Sequence, residues 1–590
     1  MNKKEVYIKL IYCLKIYFMT WAFTKIAYMG VRNILSLVFL VLSVLLVNSA
    51  KASKEHKGTY KKGAVVLGIV FAALYSLVDY VNWVYDLSNM FFRVAIISAV
   101  FLGLALIFYY VILLIFNYLD KISLHNNESE MLKGNAFLST FLLCVICYLP
   151  YFLYLFPGVM TPDSINQLEQ AIGLQPYSNH HPWVHTLIIK LCFNIGNAIT
   201  GDPEAGIAFY SVFQMIMGSL TASYVVSTLK QLKVKKYILI LAALFYALVP
   251  YNAVFAVTMW KDVLFSYAVM IFICATLRDI LLLNSADKGK GAQVVNCIVL
   301  MISSLGFCLL RSNGYYAFII TCVAYMAVAI RRLSGMRRLN IAIMLFALFA
   351  SAIIKGPVMK ACAVTQPDFV ESLSIPLQQA ANVIIKENNI DDRDNELIVN
   401  VIDTTYIADL YEPTFADNIK ELVRAGQPEV LEGNKRDYLG LYIRLGLKYP
   451  YDYLDAYRGQ TSGYWYPDSA LNVADAEGII DNECGVYSYP LLGGRFVIKF
   501  KEISLKLGDM LPFYSILFSV GAVFWLLLIG FTYSVINKNV CYVSYVPIIA
   551  LVLTVLIATP VSGNFRYVYF MILFIPLLVG TLKYEESMPS

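Results

Sequence analysis

Residues 294–354 read VVNCIVLMISSLGFCLLRSNGYYAFIITCVAYMAVAIRRLSGMRRLNIAIMLFALFASAII. Three apolar blocks stand between two short connections, one around Arg311 to Gly314 and one from Arg331 to Arg338. A hydrocarbon layer about 30 Å thick takes roughly 20 helical residues to cross, so each block reads as a transmembrane helix. Short loops rich in Lys and Arg stay in the cytoplasm. The loop holding Arg331, Arg332, Arg337 and Arg338 is therefore expected inside, and the loop holding Arg311 outside.

Working outward, the same pattern recurs along most of the chain. Of its 590 residues, 59% are hydrophobic and 15% charged, more apolar surface than a soluble core could hide. Thirteen spans are expected: 31–50, 62–83, 90–118, 136–156, 205–229, 236–256, 262–283, 294–311, 314–331, 339–356, 511–534, 541–559 and 565–583. Positive loops at 51–62, 119–135 and 230–236 join 331–338 in fixing the cytoplasmic side. Counting 183–200 as a span would put Lys230, Lys233, Lys235 and Lys236 outside; with His185 and Lys190 within it and Gly-Asp-Pro at its end, it reads as an interfacial helix. The first thirty residues fit either a hairpin, which adds a fourteenth span, or an interfacial helix. No small-residue cleavage site follows Met1-Asn2-Lys3-Lys4, so a cleaved signal peptide is not expected.

The fold class expected is an all-α polytopic membrane protein with a late mixed α/β extracytoplasmic domain. Its parts are N-terminal accessory helices at 1–135, a transmembrane core at 136–356 with its first outer loop at 157–204, the extracytoplasmic domain at 357–510, and C-terminal helices with a short cytoplasmic tail at 511–590. The late domain carries an acidic excess within a chain of net charge +6, and the remainder is basic chiefly in short loops. That distribution suits membrane lipids as a partner and calls for no nucleic acid. Most of the eleven cysteines lie in apolar runs; Cys362 and Cys484 fall in the late domain, where a disulfide is open to them if it lies outside.

Ionisable groups beside hydrocarbon are costly and usually purposeful, and here they gather at the expected outer helix ends. FPGVMTPDSINQLEQ places Asp163 in the first turn of a helix begun by Thr161-Pro162; it is either a dipole-favoured start residue or a general base. SNHHPWVH holds three of the five histidines, His180, His181 and His185. His181 and His185 stand one helical turn apart, a spacing open to a lipid phosphate or a divalent metal and equally to solvated interfacial rings. MWKDVLFSY brings Lys261 and Asp262 to a span start beside Trp260, LRSNGYY brings Arg311 and Asn313, and SGNFRYVYF brings Asn564, Arg566 and Tyr567. Each Arg suits a forked grip on phosphate or, alone, simple snorkelling.

In this order of features the chain resembles the GT-C superfamily of integral membrane glycosyltransferases, which includes protein O-mannosyltransferases and lipid A aminoarabinose transferases. The features are an acid-bearing first outer loop (FPGVMTPDS), a juxtamembrane His-Pro helix (HHPWVHTLIIKL), a run of helices, a late outer domain and an Arg-Tyr pair near the last span (GNFRYVYF). The likeness covers roughly 136–583 and looks closest to unassigned bacterial members. It implies a polyprenyl-phosphate sugar donor and an acceptor hydroxyl on a glycan, lipid or protein. It further implies Asp163 as the base, and His180, His181 and Arg566 beside the lipid phosphate. Lys261 and Arg311 join that set by topology and Tyr567 as the partner of Arg566 in the Arg-Tyr pair, with Asp262, His185, Asn313 and Asn564 as further candidates. The first loop carries one Asp where the family pattern has paired acids, which leaves a divalent metal undecided. A polytopic transporter or lipid flippase is the rival reading, although such proteins usually show internal repeats and midplane charges, and neither is evident here.

Overall fold

The computed structural model describes residues 3–30, 32–52, 57–125, 134–281, 290–329, 335–386, 389–469 and 478–584. In hydrocarbon a backbone N–H or C=O finds no water, so the apolar runs close their hydrogen bonds internally as helices. Ten of these helices are long and apolar enough to cross a membrane, or eleven if the pair Lys236–Leu248 and Pro250–Ala256, bent by 53°, counts as one span. The chain is a multi-pass membrane protein. Three of the thirteen expected spans are shorter helices, Ser36–Lys51, Val520–Ile536 and Phe565–Thr581, whereas Lys3–Ile26 is long and apolar enough to cross. Local chemistry explains the shortening. Asn33 takes the Leu35 N–H before the first of the three, Pro512 and a positive φ of 70° at Phe513 stand before the second, and the third opens on a 3₁₀ turn at Phe565–Val568.

The chain forms two compact units. The first comprises 1–124, 465–468 and 524–540, and is built on α1 (Lys3–Ile26), α2 (Ser36–Ala52), α3 (Gly58–Val84) and α4 (Met90–Lys121). Two of its acids are held by phenols: the buried Asp79 accepts from Tyr28 Oη (2.8 Å) and Tyr466 Oη (2.9 Å), and the more exposed Asp120 from Tyr60 and Tyr533, each at 2.7 Å. The Trp525 ring stacks on Phe71 with centroids 4.1 Å apart. α1 comes so close to α4 that a Cβ on Gly103 would lie 2.1 Å from the Phe18 carbonyl oxygen.

The second unit holds the remainder. Its helices are α5 (Ala136–Tyr154), α6 (Pro162–Ile172), α7 (Trp183–Thr200), α8 (Pro203–Gln231), α9 (Lys236–Leu248), α10 (Pro250–Ala256), α11 (Lys261–Leu281), α12 (Lys290–Leu309), α13 (Ser312–Ala329) and α14 (Gly335–Ile353). α7, read from sequence as interfacial, is not among the candidate spans. After α14 comes a set of shorter helices around a core that includes Ala381, Val383, Ile398, Ile419, Leu441, Leu445 and Tyr453.

The mixed α/β domain expected over 357–510 is corrected here to an all-helical one, since the described residues contain no β-strand, only isolated bridges such as Phe415 with Val561. The aromatic segment YPYDYLDAYRGQT explains the difference. Its tyrosines carry strand propensity, but Pro450 opens a helix and Tyr453, Ala456 and Gln460 then fall on one buried face, so packing overrides propensity. Cys362 and Cys484 are both free thiols, so the disulfide open to them is not formed.

Gly103→Val should push α1 off α4 and destabilise the first unit by about 1–3 kcal/mol. Limited proteolysis in detergent should show faster cleavage ahead of residue 124, and an unchanged rate would refute the close approach.

Candidate functional site

Two loops are joined first. The Val159 N–H donates to the Val257 carbonyl (3.0 Å) and the Met259 N–H to the Val159 carbonyl (2.9 Å). Ser164 Oγ then donates to the Met259 carbonyl (2.6 Å), and Trp260 Nε1 to Thr161 Oγ1 (2.9 Å). This seam fixes the start of α6, where Thr161 and Ser164 cap reciprocally around Pro162 and Asp163, against the start of α11. Successive helical side chains diverge by about 100°. Lys261 therefore turns toward Asp163, with Nζ 3.4 Å from Oδ2, while Asp262 turns inward, 2% exposed, to an ion pair with Arg311 at 3.0 Å.

Arg566 closes the cluster, its Nη1 3.1 Å from the same Asp163 Oδ2 and its Nε 4.0 Å from Asp262 Oδ2. Its guanidinium lies over the Trp260 and Tyr567 rings, each 5.1 Å away, and Arg311 donates to the Tyr567 carbonyl (3.2 Å). Asn564 is a positioning residue here, accepting the Arg566 N–H (3.3 Å), while Asn313 donates to Thr554 Oγ1 (2.9 Å) outside the charge cluster.

The histidines separate. His181 is buried and its Nδ1 lies 2.6 Å from Lys261 Nζ, which fixes it as a neutral acceptor of the ammonium proton. His180 is exposed, its ring packed edge-on against that of His181. His185 is fully buried and points elsewhere, with Nδ1 2.9 Å from Gln167 Oε1 and Nε2 2.7 Å from Tyr210 Oη. Tyr210 donates in turn to Gln214 Oε1 (2.9 Å), and Gln214 Nε2 donates to the carbonyls of Phe255, Ala256 and Thr258. This polar chain from α6 through α7 and α8 braces the loop that delivers Lys261. The one-turn spacing of His181 and His185 thus does not place both rings on one ion, and the described residues contain no group of three metal-competent side chains.

Sequence reasoning missed Gln167, Tyr210 and Gln214, although a glutamine in the middle of the apolar α8 is a readable signal. It also missed Tyr464, which nothing local marks. Tyr464 Oη donates to the Val561 carbonyl (2.7 Å) and accepts the Asn564 N–H (3.2 Å). Beside it Gly463 packs directly on the Gly563 backbone, where a Cβ would come within 2.4 Å of the Gly563 Cα. The helical domain thereby holds the loop that aims Arg566.

Burial alone would raise the Asp163 pKa, but Lys261 and then Arg566 outweigh it and hold the carboxyl well below the usual carboxylate range. Burial, reinforced by Lys261, lowers the imidazoles of His181 to about 2 and His185 to about 3. Both rings stay neutral in the fold while the unfolded chain protonates them below about pH 6.5. The unfolded state then binds more protons, so stability is fully present above that pH and lost as pH falls, by up to about 1.4 kcal/mol per pH unit for each ring. The melting midpoint in detergent should therefore fall between pH 7 and pH 5, and less steeply in His185→Gln. A flat profile in the wild type would contradict the burial of neutral imidazoles.

The model of a family of unknown function, DUF6020, matches residues 175–588. Comparison with the curated proteins and with the solved structures gives no match. The matched stretch includes His181, Lys261, Asp262, Arg311 and Arg566 but begins after Asp163. Spanning well over half of the sequence, the match assigns this chain to the DUF6020 family of unknown function.

Proposed function

We propose that the chain is a membrane glycosyltransferase. It moves a sugar from a polyprenyl-phosphate donor to an acceptor hydroxyl of a glycan, lipid or protein on the outer face of the plasma membrane. One observation carries this reading: the charges do not balance. Lys261, Arg311 and Arg566 stand against Asp163 and Asp262, a surplus of one positive charge among side chains that are at most 29% exposed. Leaving a cation uncompensated in so dry a place is costly, and an anionic ligand removes the cost. Guanidinium forks suit phosphate, and helix ends of a multi-pass protein suit a phosphate whose tail stays in the bilayer.

The ion pairs also support an order of events. With Lys261 and Arg566 on its Oδ2, Asp163 is a weak base. A donor phosphate competes for both cations, and as they turn to it the proton affinity of Asp163 rises. Its Oδ1, which has no hydrogen-bond partner among the described residues, then takes the acceptor proton. The acceptor oxygen bonds to the anomeric carbon as the bond from that carbon to the phosphate oxygen breaks. The electron pair leaves on the phosphate, where the cations stabilise it, and a single displacement inverts the anomeric centre.

Asp163→Asn should lower transfer about 10²- to 10⁴-fold with membrane insertion intact, and Arg566→Ala should raise the donor KM about tenfold or more with little change for the acceptor. Mass spectrometry of lipid-linked sugars and surface glycans reads both. A sugar-phosphate polyprenol should accumulate, and one glycan modification should vanish, in Asp163→Asn cells as in cells lacking the protein. If Asp163→Asn matches wild type while deletion redistributes lipids, the chain is a transporter and the transferase reading fails.

A further inference from the structure

The helix Arg495–Met510 closes the late domain and takes no part in the proposed chemistry. Three of its residues, Val497, Ser504 and Gly508, are buried against the protein. A second face is apolar and bare. Phe496, Phe500, Ile503, Leu507 and Met510 follow the i, i+4, i+7, i+11, i+14 spacing of one helical stripe, with Phe496 and Met510 each 75% exposed. Just beyond the helix Phe513 is 85% exposed. Along the edge of this stripe away from the protein runs a row of exposed cations, Arg495, Lys499 and Lys506.

Where the helix is held identifies what covers it. The segment leading into it is pinned to the end of α5, with the Tyr489 N–H on the Phe156 carbonyl (3.0 Å) and the Leu491 N–H on the Leu153 carbonyl (2.9 Å). Gly494 sits against the Tyr154 ring. The segment after it is tied to α10, since Tyr251 Oη donates to the Leu517 carbonyl (3.3 Å). α5 is a candidate span and α9–α10 the bent one, so the helix lies at the level where spans leave the hydrocarbon. An apolar stripe edged by snorkelling cations at that level matches the boundary between acyl chains and headgroups.

We infer that Arg495–Met510 is an in-plane helix that seats its Phe496–Met510 stripe in the bilayer interface and holds anionic lipid headgroups on Arg495, Lys499 and Lys506. This holds whether or not the chain transfers sugar. The occupant is a lipid of net negative charge, for which the cation row supplies the preference.

The test uses the full chain in nanodiscs of phosphatidylglycerol and phosphatidylcholine in equal parts. A benzophenone amino acid replaces Phe500, Ile503 or Leu507 in turn, with the exposed Glu502 and Asp509, which lie beyond the cation row and more than about 100° round the helix from the centre of the stripe, as controls. Illumination should give lipid adducts by mass spectrometry at the first three positions and at least several-fold fewer at the controls. In Lys499→Gln/Lys506→Gln carrying the probe at Phe500, the ratio of phosphatidylglycerol to phosphatidylcholine adducts should fall roughly two- to fivefold at unchanged total yield. Crosslinks to a second copy of the chain in place of lipid, or equal yields at all five positions, would overturn the in-plane placement. An unchanged adduct ratio in the double variant would overturn the anionic preference.

Discussion

One carboxylate oxygen, Asp163 Oδ2, is shared between Lys261 at 3.4 Å and Arg566 at 3.1 Å. These three residues come from the start of α6, the start of α11 and the loop before the last apolar helix, distant in sequence and drawn together where membrane helices end. Charges so little exposed are costly unless they are partnered. The surrounding architecture is largely devoted to meeting that condition. Asp262 anchors Arg311 on the inner side, and His181 Nδ1 accepts a hydrogen bond from the Lys261 ammonium on the other.

The supports lie one layer further out. The seam between residues 159–164 and 257–260 sets the distance from Asp163 to Lys261. The chain through Gln167, His185, Tyr210 and Gln214 ends on the backbone of that same 255–258 turn. From the other side Tyr464 and the contact of Gly463 with Gly563 hold the loop before Arg566. Because the helical domain reaches the cluster through this backbone contact, a ligand that moves the domain would also move Arg566.

The transmembrane character was legible because apolar blocks and arginine-rich loops are local properties. The convergence of Asp163, Lys261, Asp262, Arg311 and Arg566 was legible because each sits at a helix end and alternation of antiparallel spans sends those ends to one side. Pair identities were not, since no spacing tells that Asp262 turns to Arg311 while its neighbour turns to Asp163. His185 misled for the same reason: one helical turn from His181 in sequence, it is rotated into a separate hydrogen-bond chain by Gln167 and Tyr210. Strand propensity in the Tyr-rich segment around Tyr453 gave way to helix because Pro450 and an inward-facing apolar edge decide the matter. Span lengths near 36, 520 and 565 depended on caps and turns that hydropathy does not register.

The central claim is that a lipid phosphate occupies the cationic surplus and takes Lys261 and Arg566 from Asp163. Electron cryo-microscopy of the protein in nanodiscs with a short-chain polyprenyl phosphate tests it most directly. The account predicts phosphate density within hydrogen-bond reach of Lys261 and Arg566, with the Asp163 carboxylate released from both. Phosphate density elsewhere, with the Asp163 ion pairs intact, would contradict it.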